Sequence, residues 1–561
     1  MSDSDLVIEK PDASRWRVFI LAVFVCAAIL RIVQIQNAEI WLDEAMTWHY
    51  ASQPWAEIAD FVSSNDVHPP LHYWFTKLFL VFGDGAFALR IGPVLLELLA
   101  LPLIYWSAFN LAPEGRKRAV GLVAIVLAAA SANMVSTGLL ARSYAGLYLC
   151  FTICFAALSW IVAHREMAVK SVFTSAGGPA ALRYGALALG LAGMAWFHNL
   201  GLLYGAAVGV IAFLIWIFVL GRRLAAFVNF AAAAGLAFLL YLPQLGTFLR
   251  QLGSVSSDYW IQQPSLFGLI RSFLQIFGQN PALQKTSVVG MALAGLVCLI
   301  GFCTALALIR QRNWAVLLPT AGLLVAVYGL FVLVTFGVKP IMLNRTMYPM
   351  LAPWFVLLAL GVCAISWPAL RWGLATGLTA ILLFAALHVT DSTRWRSEVL
   401  QQIAQDAGSA PTLITVPNAA AVMMDYHTRR LDLAINTIPL PAPYPDHSEG
   451  ARFTTGWPGV PALNDRALQT LETALADNPE DVWVFLRAYW IYDPDALFKP
   501  YLDQRYCYQP VDGLPSKLNM VFKLAPRATL AGGPCDDMGN DVHFPYERPD
   551  YGRYSLAEPT P

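Results

Sequence analysis

Charge is scarce in this sequence. Of 561 residues, 13% are charged and 57% are hydrophobic. A soluble chain usually carries about 25% charged residues, so an ordinary cytosolic enzyme is excluded. Acids nearly vanish from the middle: only Glu114, Glu166 and Asp258 fall between positions 98 and 390, whereas 22 of the 37 acids follow 390. Basic excess is also lacking, since 37 Lys and Arg balance the acids to a net charge of zero, and with it any footprint for nucleic acid. The sequence holds no C-x-x-C or Cys/His zinc spacing and no internal repeat. Its first apolar run is too long for a secretory signal and lacks an A-x-A site. These absences leave a membrane block followed by a soluble domain. Six of the eight cysteines (Cys26, Cys150, Cys154, Cys298, Cys303, Cys363) sit in apolar runs and read as small core residues. Cys507 and Cys535 stand in the tail, where a disulfide is expected if the tail faces an oxidising compartment.

A hydrocarbon core about 30 Å thick takes about 20 apolar residues to cross. Eleven runs meet that need, at 16–37, 86–110, 119–140, 143–163, 183–197, 199–220, 224–243, 286–309, 314–337, 346–366 and 371–390. The short connections at 111–118, 164–183, 221–223, 310–313 and 367–371 hold eleven Lys or Arg and two acids, which assigns them to the cytoplasm. They alternate consistently with eleven spans and a cytoplasmic N-terminus, so the tail lies outside. The expected domains are a polytopic α-helical block, 1–393, and an extracytoplasmic α/β domain, 394–561. In the tail, 412–416 and 482–486 read as buried strands and 467–475 as an amphipathic helix. The last 25 residues, rich in Pro, Asp and Gly, read as loosely ordered.

The first outer loop, 38–85, breaks the rule of scarcity. It carries seven acids (Glu39, Asp43, Glu44, Glu57, Asp60, Asp66, Asp84) and many aromatics, among them Trp41, Trp48, Tyr73 and Trp74. Such aromatics suit amphipathic helices at the bilayer interface, resting on the bundle. Two motifs stand out: Trp41-Leu-Asp43-Glu44, and Asp66-Val-His68-Pro69-Pro70-Leu71. The second reads as a helix start, with Asn65 or Asp66 as N-cap and the prolines in the first turn. A helix N-terminus attracts phosphate, and His68 would add to it. One loop thus offers a carboxylate base and a phosphate site; the plain alternative is a solvated Asp-Glu and an ordinary capped helix.

These residues resemble the C-type fold (GT-C) glycosyltransferases. Asp43-Glu44, the DVHPPL run 66–71 and Phe87-Ala-Leu-Arg90 look like the motifs of protein O-mannosyltransferases and of the lipid A aminoarabinose transferase, members of a family 39-like superfamily. Ala141-Arg142-Ser-Tyr144 is similar to the family's Arg-x-Tyr, and Tyr259-Trp260-Ile-Gln-Gln-Pro264 to its external W-x-x-P loop. Asn344-Arg345 stands where the family has Arg-Tyr, with Thr346 in place of the tyrosine. The likeness covers roughly 15–400, and the absence of MIR-type repeats points to a bacterial type.

The resemblance implies transfer of one sugar from a polyprenyl-phosphate donor to a glycan, lipid or protein acceptor, with inversion, outside the cytoplasmic membrane. On that basis Asp43 is the expected base, and Glu44 and Asp66 would hold hydroxyls. Asp43 and Asp66 would be the ligands of a Mg²⁺ or Mn²⁺ ion, should one be used. His68, the helix start at Pro69, Arg90, Arg142, Arg345 and His198 would meet the leaving phosphate. Arg250, Arg271 and Lys339 also fall at external ends, where snorkelling to headgroups is the default. Glu97, seven residues from Arg90 and so on the same helix face, reads either as its ion-pair partner inside the bundle or as a functional group. The tail is expected to cover the external cavity and help choose the acceptor, or else to serve as a partner-docking module. The rival is a transporter or flippase for lipid-linked sugars; clustering of charge on the outer side argues against it.

Overall fold

The computed structural model describes residues 13–174, 178–254, 261, 263–278, 288–388, 394–407, 410–455, 457–476, 481–510 and 519–526. The 259–260 motif, Cys535 and the last 25 residues lie outside this set. Cys507 is disulfide-bonded, and the other six cysteines are free.

Among the described residues ten helices are long and apolar enough to cross a membrane, eleven if one bent pair counts as a single span. The chain is a multi-pass membrane protein. After α1 (Ala13–Gln34) come three short helices of the first loop, α2 (Leu42–Ser52), α3 (Ile58–Asn65) and α4 (Leu71–Phe79). The bundle continues with α5 (Ala86–Leu111), the bent pair α6 (Lys117–Ala130) and α7 (Ala132–Gly138), α8 (Tyr144–Ala163), short α9 (Arg165–Ala168), α10 (Gly178–Phe197), α11 (Gly201–Phe218) and α12 (Leu224–Ser254). It closes with α13 (Leu266–Phe277), α14 (Val288–Arg310), α15 (Trp314–Leu317), α16 (Leu323–Gly337), α17 (Asn344–Met347), α18 (Leu351–Ala364) and α19 (Pro368–Leu387). Large apolar side chains such as Leu239, Phe302, Leu333 and Phe384 are exposed, as lipid-facing residues must be. Inside, small residues let backbones approach: a Cβ on Gly190 of α10 would stand 2.6 Å from Cys154 Sγ and 2.8 Å from the Cys150 carbonyl of α8.

The third apolar run is not one straight span. It bends by 55° between α6 and α7, because Ser131 leaves helical geometry and its hydroxyl accepts the Met134 N–H, starting a new helix.

The tail begins with α20 (Trp395–Asp406) and builds one five-stranded sheet. Its elements are β1 (Thr412–Val416), α21 (Asn418–Leu431), β2 (Asn436–Pro439), α22 (Asp465–Leu475), β3 (Val482–Arg487), α23 (Tyr489–Tyr492), α24 (Phe498–Arg505), β4 (Tyr506–Pro510) and β5 (Asn519–Pro526). The order is β2-β1-β3-β5-β4, with β1 parallel to β2 and β3, and β5 antiparallel to β3 and β4. All five residues of β1 are buried, which fits a continuous apolar strand covered on both faces. The two expected strands and the expected helix are present.

The tail and the first outer loop share a core. Leu42, Ala45, Met46 and Tyr50 of α2, and Ile58 and Val62 of α3, pack in one cluster with Leu413, Val422, Met423, Phe485 and Trp490 of the tail. The loop helices therefore do not simply rest at the interface on the bundle, as the aromatics suggested. Burial against the tail claims α2 and α3. Only the rim around α4, with exposed Trp55, Leu78, Val81 and Phe82, keeps an interfacial character. Polar clamps reinforce this seam: Glu39 accepts from the Arg396 and Ser397 N–H groups at 3.0 Å each, His427 Nε2 meets the Ile40 carbonyl at 2.7 Å, and Asp84 pairs with Arg430 at 3.0 Å.

Candidate active site

Consecutive residues on a helix point about 100° apart, so Asp43 and Glu44, in the first turn of α2, diverge. Glu44 turns inward and is fully buried. Arg90 grips it through Nε at 2.9 Å and Nη2 at 2.7 Å, and the Ala141 N–H donates to it at 2.8 Å. Arg90 gives its remaining donors to the carbonyls of Ile35, Ala38 and Glu39. All five guanidinium N–H groups are thus used. Glu44 and Arg90, both expected at the site, thus tie α1, α2, α5 and the 139–142 turn together, with their hydrogen bonds made inside the protein. That arrangement also removes the Arg90–Glu97 pair, for Glu97 is held by Arg31 of α1 at 2.9 and 2.5 Å.

Asp43 turns the other way. Its carboxylate is 22% exposed and stands 4.0 Å from the Arg345 guanidinium; among the described residues it accepts no hydrogen bond. Arg142 Nη1 donates to the Asp43 carbonyl at 3.4 Å. Arg142 follows a tight turn, with its own N–H on the Leu140 carbonyl at 2.7 Å. Burial opposes its charge, but the nearby Asp43 carboxylate, with Tyr73, Tyr144 and Asp66, raises its pKa further. Arg345 lies over Trp41 at 5.4 Å and Tyr144 at 6.0 Å, a cation–π cradle. Thr346 does not replace the missing tyrosine's ring. Its hydroxyl caps short α17, accepting the Leu343 N–H at 3.0 Å and donating to the Ile341 carbonyl at 3.0 Å, which fixes the turn presenting Arg345.

The Asp66–Pro70 segment forms the opposite wall. The prolines lie before α4 rather than in its first turn, since Pro70 itself is the N-cap position and no side chain caps the helix. Asp66 instead ends α3. Its Oδ1 accepts the Val67 N–H at 2.7 Å and its Oδ2 accepts the Tyr73 hydroxyl. Burial raises the Asp66 pKa, with Arg142 opposing. Asn199 Nδ2 and Gln251 Nε2 hold the loop from outside, on the Val67 carbonyl at 2.6 Å and the Asp66 carbonyl at 2.8 Å.

Three histidines complete the wall, His72 and His198 buried and His68 half-buried. The rings of His68 and His198 lie 4.5 Å apart. Burial, then each other's neighbourhood and Arg142, holds His68 well below the usual histidine range. Burial followed by Arg142 pulls both His72 and His198 down to about 3. His198 Nδ1 accepts the Leu200 N–H at 3.1 Å, so the neutral ring carries its proton on Nε2. His68 Nδ1 is buried without a hydrogen-bond partner.

The tail roofs this site. Tyr444 donates to the Asn65 carbonyl at 2.8 Å and meets the Tyr50 hydroxyl at 2.5 Å, while His447 Nε2 reaches Asn65 Oδ1 at 2.6 Å. Tyr492 is pushed up to about 12, first by burial, with the Asp43 carboxylate among the charges acting on it. The site thus brings together Asp43, Asp66, His68, Arg142, His198 and Arg345. Arg250 does not join them; it is bonded to Thr247 one turn away at an exposed position. Sequence reading missed Tyr73, His72, Asn199, Gln251, Tyr444 and Tyr492. Only Tyr73, two turns from Asp66, carried a usable spacing signal.

Each Asp66 oxygen accepts one hydrogen bond, and among the described residues no three His, Cys, Asp or Glu side chains converge.

No protein-family model matches the chain, and no curated protein matches it. Among solved structures it is similar to ArnT from Cupriavidus metallidurans in the apo state, with a TM-score of 0.59 and 13% identity over 91% of this chain and 98% of that one. It is also similar to ArnT from the same organism bound to undecaprenyl phosphate, with a TM-score of 0.52 and 13% identity over 93% of this chain and 100% of that one. At that identity the likeness establishes architecture: the chain has the GT-C fold of the membrane glycosyltransferases.

Proposed function

We propose that the chain is an inverting glycosyltransferase. It moves one sugar from a polyprenyl-phosphate-linked donor to a hydroxyl of a glycan, lipid or protein acceptor, on the outer face of a bacterial cytoplasmic membrane. The observation that carries this reading is the open Asp43 carboxylate facing Arg345, with Arg142 beside it. Asp43 takes the acceptor's proton as its oxygen attacks the anomeric carbon. The bond from that carbon to the phosphate oxygen breaks on the opposite face, so configuration inverts. Arg142 and Arg345 meet the charge that builds on the departing phosphate, and the His198 Nε2–H donates to it. Asp66, anchored by Tyr73, and His68 orient the sugar. The ArnT structure bound to undecaprenyl phosphate supports the donor class. The basic cytoplasmic loops support the orientation, and the tail, roofing the site, serves acceptor choice.

Mass spectrometry of lipids copurifying with the protein tests this. A polyprenyl phosphate, bare or glycosylated, is the expected finding. Bulk phospholipid alone, with no binding of added undecaprenyl phosphate, would overturn it in favour of a transporter.

A further inference from the structure

The most costly group in the bundle takes no part in this chemistry. Arg31 and Glu97 form an ion pair, both fully buried, in a region where charge is strongly disfavoured. A pair of apolar side chains would do as well for packing, so the pair needs a reason. It lies in the break of the third span. Ending α6 at Ala130 frees carbonyls that no water can reach inside a bilayer, and Arg31 Nη1 donates to one of them, Ala129, at 3.0 Å. Its positive charge also sits at the negative end of the α6 dipole.

Glu97 acts on the other side of the break. Its Oε1 holds Arg31, while its Oε2 is buried without a hydrogen-bond partner. That oxygen lies directly against Gly138, the last residue of α7, where an added Cβ would overlap it. A free carboxylate would swing away from such a methyl group. This one is fixed by two hydrogen bonds from Arg31. Four residues beyond Gly138 stands Arg142, and between them the Ala141 N–H is fastened to Glu44.

We infer that Arg31, Glu97 and Gly138 are positioning residues: the intramembrane ion pair, wedged against Gly138, aims α7 and thereby sets where the 139–142 turn presents Arg142. The catalytic consequence rests on the donor-phosphate role proposed for Arg142; the geometric consequence does not.

The test uses full-length protein in lipid nanodiscs, with Gly138→Ala, Glu97→Asp and the double variant. Gly138→Ala is expected to weaken undecaprenyl-phosphate binding by about 100-fold, as misplacement of a binding group by about 1 Å does. Its Ala141 amide should exchange faster with deuterium. Glu97→Asp withdraws the carboxylate by one methylene, so the double variant should regain both affinity and protection. Wild-type affinity and protection in Gly138→Ala would overturn the inference, and so would a double variant no better than the single one, since general destabilisation gives no such rescue. If wild-type protein does not bind undecaprenyl phosphate at all, the proposed function fails, while the exchange of Ala141 still decides the positioning role.

Discussion

Asp43 and Glu44 are neighbours in sequence and opposites in the molecule. Glu44 is sealed, its oxygens shared between the Arg90 guanidinium and the Ala141 N–H. Asp43 is partly exposed, 4.0 Å from its nearest cation, and accepts no hydrogen bond among the described residues. A buried charge with every bond made is a structural joint, because removing any part leaves an uncompensated charge. A carboxylate kept open beside two arginines has lone pairs left for a substrate. The difference between structure and chemistry here is one residue of helical rotation.

The comparison breaks most visibly at Asp43. Asp43→Asn should lower sugar transfer by roughly 10²- to 10⁴-fold, the range for loss of a general base, while undecaprenyl-phosphate binding and melting temperature stay near wild type. Near-normal turnover would sink the base assignment. Glu44→Ala should do the reverse, costing about 3–5 kcal/mol of stability by orphaning Arg90; a melting curve in detergent reads it. Equal melting temperatures for the two variants would erase the distinction.

A smaller effect comes from acid. His72 and His198 sit near 3 and His68 well below its ordinary value. The unfolded chain binds their protons first, near 6.5. Their contribution to stability is therefore complete above about pH 6.5 and is lost as pH falls toward about 3. Asp66, raised by burial, has the opposite sign and contributes less as pH rises above the ordinary carboxylate range. A melting series from pH 7 to 4 should decline, and His198→Asn should flatten it; a decline unchanged in that variant would exclude His198 as its source. The smallest effect is at the roof. Tyr444→Phe removes hydrogen bonds to Asn65 and Tyr50 and should cost about 1 kcal/mol, with acceptor KM rising more than donor affinity falls. Unchanged acceptor KM would detach the roof from acceptor choice.

Much was legible because the bilayer imposes simple rules. Span length, loop charge and the apolar strands 412–416 and 482–486 follow from local composition. Asp43, Arg142 and Arg345 were readable as a motif. What was misread depended on partners far along the chain. Spacing of seven placed Glu97 with Arg90 on one helix face, yet Glu44 claimed Arg90 and Arg31, 66 residues from Glu97, claimed Glu97. Ser131 in an apolar run gave no sign of a 55° break. With Asn65 or Asp66 read as N-cap, the prolines at 69–70 suggested a helix start four or five residues before the observed N-cap position, Pro70.

By itself, then, the sequence determined the membrane block and the sheet-forming tail and offered the residue types of the candidate site, because hydrophobic period and charge count are local quantities. Tertiary structure alone decided which acid is sealed and which is open, which arginine is exhausted and which is available, and that the tail shares a core with the first loop. Those outcomes depend on which hydrogen-bond partners meet when distant segments pack, and a buried charge is stable only where all of its partners arrive together.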